Sequence, residues 1–210
     1  MQRHEFLERC PRLWHVAPAG AWEQIRRSGL RTAEQLILAA DLDDALRSSL
    51  LGSPRAAAVA LTVTGETIVL RDQAPLLKRK DLQSLMADGM DVADWIRLLN
   101  RRIYLFSREA AMRTLLEKYV ARDGAQDILV ISPLRLLDAV GSRIELTTQN
   151  TGAIARRAGA QKSPEVFQPL RRFPNRVPTE VTVVDGVGDL GVVVRAERVH
   201  RDGRREELRA

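Results

Sequence analysis

Helix signals gather in the first half of this chain and strand signals in the second, and that uneven order most limits its fold. A doubly wound parallel sheet needs helices and strands in alternation, so the expected class is α+β with short strands. The strongest single element is Ile128-Leu129-Val130-Ile131 within Asp127–Ser132, a run apolar enough to be buried.

Before it, Pro11 leads into an expected strand over Arg12–Ala17, and Ala21–Ser28 reads as a helix with Trp22 and Ile25 on one face and Gly29 as its stop. Thr32 is placed to cap a helix over Ala33–Ala40, and a further helix is expected over Asp41–Leu51. Ala58–Val63 and Thr67–Arg71 suggest a hairpin across Gly65, and helices are expected over Asp81–Asp88 and Val92–Leu99. Arg102–Phe106 reads as a strand, with Ser107 capping a helix over Arg108–Tyr119. Later strands are expected at Ile144–Thr147, Thr179–Val184 and Gly191–Val199, with a hairpin signal at Asp202-Gly203. Residues 155–178 hold Arg156, Arg157, Arg171, Arg172 and Arg176 among four prolines, and read as a basic loop.

At 210 residues the chain fits one domain, 1–210, with a helical and hairpin insertion at about 41–100. The single cysteine, Cys10, leaves no internal disulfide and points to a reducing compartment. With no long apolar run and no signal-peptide pattern, the expectation is a cytoplasmic protein that does not meet a membrane. The net charge of +6 is carried by arginine, since lysine occurs only at Lys78, Lys80, Lys118 and Lys162. Guanidinium groups suit bidentate contact with phosphate, which keeps nucleic acids and dinucleotides among the expected partners.

Three residues carry the chemistry. His15 is set in the apolar run Leu13-Trp14-His15-Val16-Ala17, and an imidazole placed at the mouth of a strand can donate to one hydroxyl while accepting from another. Tyr104 lies in Arg102-Ile103-Tyr104-Leu105-Phe106-Ser107, and Glu180 opens the valine-rich strand Thr179-Glu180-Val181-Thr182-Val183-Val184. Glu145, before the polar loop Gln149-Asn150-Thr151-Gly152, is the reserve acid. No Walker loop, glycine-rich dinucleotide fingerprint or zinc-ligand spacing occurs, so no metal is expected.

Taken in order, these segments resemble the ADP-ribosyltransferase superfamily, in particular poly(ADP-ribose) polymerases and the DNA-modifying toxins, as an uncharacterised bacterial branch. The Leu13–Val16 run is similar to that family's Leu-Trp-His-Gly-Ser, the Tyr104 strand to Gly-Ile-Tyr-Phe-Ala, and the Glu180 strand to Asn-Glu-Tyr-Ile-Val-Tyr-Asp. Val16 and Arg102 stand where the family has glycine. The resemblance implies two antiparallel sheets split around an NAD cleft, flanked by helices, and transfer of ADP-ribose from NAD to a nucleic acid or protein. His15 would hold the adenine-side ribose, and the backbone at Val16 the nicotinamide amide. Tyr104 would pack on the nicotinamide ring, with Tyr119 a second stacking candidate. Arg31 would meet the pyrophosphate, with Ser107 and Asn150 nearby, and Glu180 would accept from the ribose 2′-hydroxyl. A toxin role with an antitoxin partner stays open. A nucleotide or nucleic-acid binder without turnover on the same fold is the alternative. Removal of an RNA 2′-phosphate is disfavoured, because enzymes of that kind use paired histidines and arginines.

Overall fold

A computed structural model describes residues 1–78, 81–153 and 161–209. In chain order the helices are α1 (Arg3–Arg9), α2 (Ala21–Ser28), α3 (Ala33–Ala39), α4 (Asp44–Gly52), α5 (Val92–Asn100), α6 (Glu109–Asp123) and α7 (Pro133–Val140). The strands are β1 (Leu13–Pro18), β2 (Val59–Val63), β3 (Glu66–Leu70), β4 (Arg102–Phe106), β5 (Gln126–Ile131), β6 (Ile144–Thr147), β7 (Gln168–Pro169), β8 (Glu180–Val184), β9 (Val193–Val199) and β10 (Arg205–Leu208). The fold is α+β, with a large antiparallel sheet in the order β10-β9-β5-β1-β4-β8-β6-β7 and a separate β2-β3 hairpin.

The main sheet corrects one expectation: two separate sheets are replaced by one eight-stranded sheet. Its middle is nonetheless weak. β1 pairs with β5 along its whole length, Leu13↔Ile131 to Pro18↔Gln126, but meets β4 at the single position Trp14↔Phe106. Beyond that bridge the two strands part, so the edge of β1 from His15 onward is not bonded into a ladder with β4.

Period-two alternation distributes the strands' side chains between two faces. Leu13, Ile103, Leu105, Leu129, Ile131, Val181 and Val183 enter one core, roofed by Phe6 of α1, Trp22 of α2 and Leu136 of α7. On the opposite face, Trp14, Val16, Ile128 and Val130 pack beneath Met112 and Leu116 of α6. A third cluster, built from Leu76, Leu82, Trp95, Ile96, Leu99 and Phe167, takes in Tyr104 of β4. The second face is thus covered by two separate apolar groups, one over β1 and β5 and the other against β4.

Several local expectations shift for identifiable reasons. The helix expected over Asp81–Asp88 is only a 3-10 turn, Leu82–Leu85, because the backbone after it joins Lys162 instead: Lys162 N donates to Leu85 O (2.6 Å) and Ala87 N to Lys162 O (3.0 Å). Ser107 does not cap α6. Arg108 occupies the cap position without a side-chain bond, and the Ser107 hydroxyl donates to Pro178 O at 2.6 Å, tying β4 to the start of β8. The helix also runs one turn past Tyr119, ending at Gly124. In the basic loop, Arg156 and Arg157 lie outside the described residues.

Asp127 shows what a buried acid with a purely structural task looks like here. It is wholly buried, accepts from the N–H groups of Gly20 (2.9 Å) and Trp22 (3.1 Å) at the start of α2, and is paired with Arg198 at 2.7 Å. Both oxygens are occupied by strong donors, a good arrangement for an ionised group out of water.

Candidate functional site

Tyr104 and Glu180 are neighbours on one face of the β4–β8 pair, and His15 of β1 reaches the Tyr104 backbone carbonyl where β1 leaves β4. The ladder sets Tyr104 opposite Thr182 and Phe106 opposite Glu180, so the phenol and the carboxylate lie two residues apart on the same face of neighbouring strands. Across the gap, His15 Nδ1 lies 3.0 Å from Tyr104 O. A carbonyl only accepts, so Nδ1 carries the hydrogen and Nε2 of the neutral ring keeps its lone pair for another donor. All three residues are half-buried, enclosed by neighbours yet still touching solvent.

Their protonation follows from that enclosure. Burial pushes the Glu180 carboxyl above the ordinary carboxylate range, against the opposing pull of hydrogen bonds from Thr151 and the Lys162 charge. Burial also lowers His15, outweighing its bond to the Tyr104 carbonyl, and the nearby Arg71 guanidinium adds to the lowering. Tyr104 is raised, first by burial and then by the negative charge of Glu180. At neutral pH the group is a neutral imidazole, a neutral phenol and a carboxyl poised to ionise late. Perturbation of this kind, gathered on residues that still touch solvent, marks candidate functional sites.

The acid is oriented by residues that the sequence reading did not single out. Thr151, completely buried, donates from both its backbone N–H (3.1 Å) and its hydroxyl (2.8 Å) to one oxygen, Oε2 of Glu180. Behind that turn stands Lys162, 0% exposed, whose ammonium donates to the carbonyls of Asn150 (3.3 Å), Thr151 (3.4 Å) and Ala153 (2.9 Å). Its Nζ also sits 5.4 Å from the centroid of the Trp95 ring, which stacks on Phe167. The available signal was slight: one of few lysines in a chain rich in arginine, ten residues after a polar strand-end loop.

The remaining expected residues divide. Val16 is buried in the α6-side core, with its backbone in register with Ile128. Asn150 is exposed beside Thr151, and its carbonyl is held by Lys162. The hydroxyl of Ser107 is engaged by Pro178 and is buried. Tyr119 has the Arg71 guanidinium 3.9 Å from its ring centroid, so one aromatic face is already covered. The reserve acid Glu145 is bound to Arg102 at 2.7 Å, and that guanidinium lies 3.9 Å over Phe167, which accounts for an arginine in a strand position where its side chain is only 8% exposed.

Arg31 stands apart from the triad. It donates to Gln35 O (3.0 Å) and lines a cavity of about 530 Å³ with Asp185 and Val187, at the far end of the β4–β8 ladder from Glu180. Gly29 explains why the chain is placed there: at φ +80 it lets Leu30 exchange two 2.8 Å backbone bonds with Val187, and a Cβ on Gly29 would lie 2.5 Å from Val187 O.

Among the described residues no group of three histidine, cysteine, aspartate or glutamate side chains is arranged to hold a metal ion. None of their helices is long and apolar enough to cross a membrane. The model of a family described as a family of unknown function (DUF7002) matches residues 11–194. No curated protein matches the chain.

Proposed function

Since the chain belongs to the DUF7002 family of unknown function, with residues 11–194 spanning the whole triad, we propose from the site itself that it is an NAD-dependent ADP-ribosyltransferase. The observation that supports the reading is that Tyr104 and Glu180 share one face of the β4–β8 ladder while His15, from a distant stretch, reaches the Tyr104 backbone carbonyl. The part of β1 not bonded to β4 gives a nicotinamide amide somewhere to dock.

In this mechanism His15 Nε2 accepts from a ribose hydroxyl, while Tyr104 packs on the nicotinamide ring. Glu180, once ionised, accepts from the 2′-hydroxyl of the nicotinamide ribose. Nicotinamide leaves with the bonding electron pair, and the positive charge that develops on the ribose is stabilised by the fixed carboxylate. The acceptor nucleophile then bonds to the anomeric carbon, and its proton passes to Glu180 or to solvent. The raised Glu180 carboxyl requires that turnover increase with pH above the usual carboxylate range.

A nucleic acid is the acceptor class that the surface favours. Arg9, Arg12, Arg108 and Arg176 are all exposed and enter none of the ion pairs among the described residues. They share the Glu180 end of the sheet: Arg12 and Arg108 flank the Trp14–Phe106 bridge, and Arg9 bonds Asn175. Such a row also supports the second reading, a nucleic-acid binder without turnover.

Incubation with NAD labelled in the nicotinamide ring separates the two. Release of nicotinamide, lost in Glu180→Ala, is the expected result. No release from the wild-type chain, with oligonucleotide binding that weakens steeply as salt is added, would favour the binder.

A further inference from the structure

Lys162 and Glu180 face the same peptide group from opposite sides. The carbonyl of Asn150 accepts from Lys162 Nζ at 3.3 Å, and the N–H of that same peptide, belonging to Thr151, donates to Glu180 Oε2 at 3.1 Å. From this geometry we infer that Lys162 is a positioning residue for Glu180, acting through the Asn150–Thr151 peptide as a buried cation that aims the Thr151 donors and holds the carboxylate in place. The inference rests on the role proposed for Glu180.

The physical case has three parts. A cation drawing on a carbonyl polarises the peptide and strengthens the hydrogen bond at its other end, an effect enlarged where water is excluded. The ammonium also takes the carbonyls of Thr151 and Ala153, so the turn is fixed at three points and the hydroxyl of Thr151 is fixed with it. Finally, a lysine that is 0% exposed and takes part in no ion pair among the described residues carries a large desolvation cost. Three carbonyls offset part of that cost, and an anion one peptide away offsets more.

The charged and titratable groups around Glu180 make Lys162 distinctive. Tyr104 and Arg102 of β4 and Glu145 of β6 share its face of the sheet, and Thr147 of β6 stands opposite it. Arg102 and Glu145 are joined at 2.7 Å and largely neutralise each other. Tyr104 and His15 are neutral at working pH, for the reasons given above. Lys162, whose pKa burial lowers against the pull of the Glu180 charge, is therefore a positive charge behind the acid that enters no ion pair among the described residues.

The test uses the full chain and reads Glu180 directly. With glutamate labelled at the carboxyl carbon, the titration of Glu180 is followed by NMR and assigned by its loss in Glu180→Gln. In Lys162→Met the midpoint is expected to rise by about one pH unit. The acid limb of nicotinamide release should move with it, lowering turnover about tenfold on that limb while KM for NAD stays nearly constant. Thr151→Ala combined with Lys162→Met should cost little more than the larger single effect. A folded Lys162→Met chain with the wild-type Glu180 midpoint would overturn the inference.

Should the methionine variant fail to fold, the wild-type chain labelled at lysine carries the same test. The Lys162 side-chain resonance is expected to shift as Glu180 titrates and to lose that response in Glu180→Gln; a resonance indifferent to Glu180 would sink the inference. Failure of the wild-type chain to cleave NAD would count against the transferase reading alone, since both titrations are read without substrate.

Discussion

The two ends of the β4–β8 ladder use the same device for different ends. At one end Arg143 donates through Nη1 to three consecutive carbonyls, Val184 (3.2 Å), Asp185 (3.3 Å) and Gly186 (2.9 Å). At the other, Lys162 donates to three carbonyls of the 150–153 turn. The Arg143 turn is closed on itself: Gln35 donates to Asp185 O, Arg101 pairs with the Asp185 carboxylate, and Leu30 and Val187 exchange backbone bonds beside it. Its groups are consumed by the fold. The Lys162 turn instead delivers two donors to one oxygen of Glu180, a half-buried acid. A clamped turn with internal partners marks architecture, and a clamped turn aimed at a half-buried acid marks a site.

Glu180→Gln tests this contrast with the largest effect. Nicotinamide release is expected to fall on the order of 100-fold or more, because the amide cannot stabilise a developing cation as a fixed anion does. Stability should move the other way. Burial raises the carboxyl's folded pKa, so its favourable contribution is complete below the unfolded value and is lost as pH rises through the folded one. At neutral pH the ionised group is therefore a cost, and Glu180→Gln should melt higher than wild type, the gap closing as pH falls toward 4. A lower melting point at neutral pH would make Glu180 a structural acid like Asp127.

Gly186→Ala probes the opposite end. Gly186 sits at φ +78, and a Cβ there would lie 2.6 Å from Leu30 O and 2.8 Å from Gln35 Oε1. The backbone strain alone costs about 1–3 kcal/mol, with the collision added to it. The folded fraction should keep its substrate affinity and pH profile. A selective loss of NAD binding in a variant of unchanged stability would instead make the Arg31 cavity part of the site.

How far the sequence foretold this arrangement depended on whether an element's partners were local. The limits of α2 match expectation because Gly29 stops the helix through its own φ. β5 matches within a residue because four apolar residues need burial whatever lies above them. The turn at Leu82–Leu85 was legible only as an apolar pattern, since the bonds that decide it come from Lys162, 77 residues or more away. His15, Tyr104 and Glu180 could be named from strand patterns, but not the contacts of Thr151 and Lys162. Their roles arise from a turn folding back on β8, and no periodicity carries that information. Arg31 misled for the complementary reason: it follows a helix stop as expected, but the Leu30–Val187 pairing carries it to the wrong end of the ladder for Glu180.

A smaller effect is expected at His15. Burial lowers its pKa, so its neutral form supports the fold above the ordinary value and that support is lost as pH falls through the folded value. His15→Gln, which can still donate to the Tyr104 carbonyl, should lessen the loss of stability below about pH 6.5, where an unperturbed histidine begins to charge. It should also raise KM for NAD several-fold more than it lowers kcat, because His15 meets the ribose rather than the bond that breaks. An equal fall in kcat and kcat/KM would move His15 from binding to the chemical step.

The smallest effect distinguishes the two clamps themselves. Arg143→Ala removes three carbonyl contacts from a half-buried, solvent-touching group, for which water can substitute in part, and a loss of about 1 kcal/mol is expected in denaturant unfolding. The Glu180 titration and the pH dependence of NAD cleavage should be unchanged, because the Arg143 turn ends on backbone and on Asp185, not on the reacting acid. Lys162→Met should do the reverse in kind, shifting the acid's midpoint along with any cost in stability. If Arg143→Ala also moved that midpoint, the two ends of the ladder would be coupled through β8, and the separation between architectural and site-forming turns would fail.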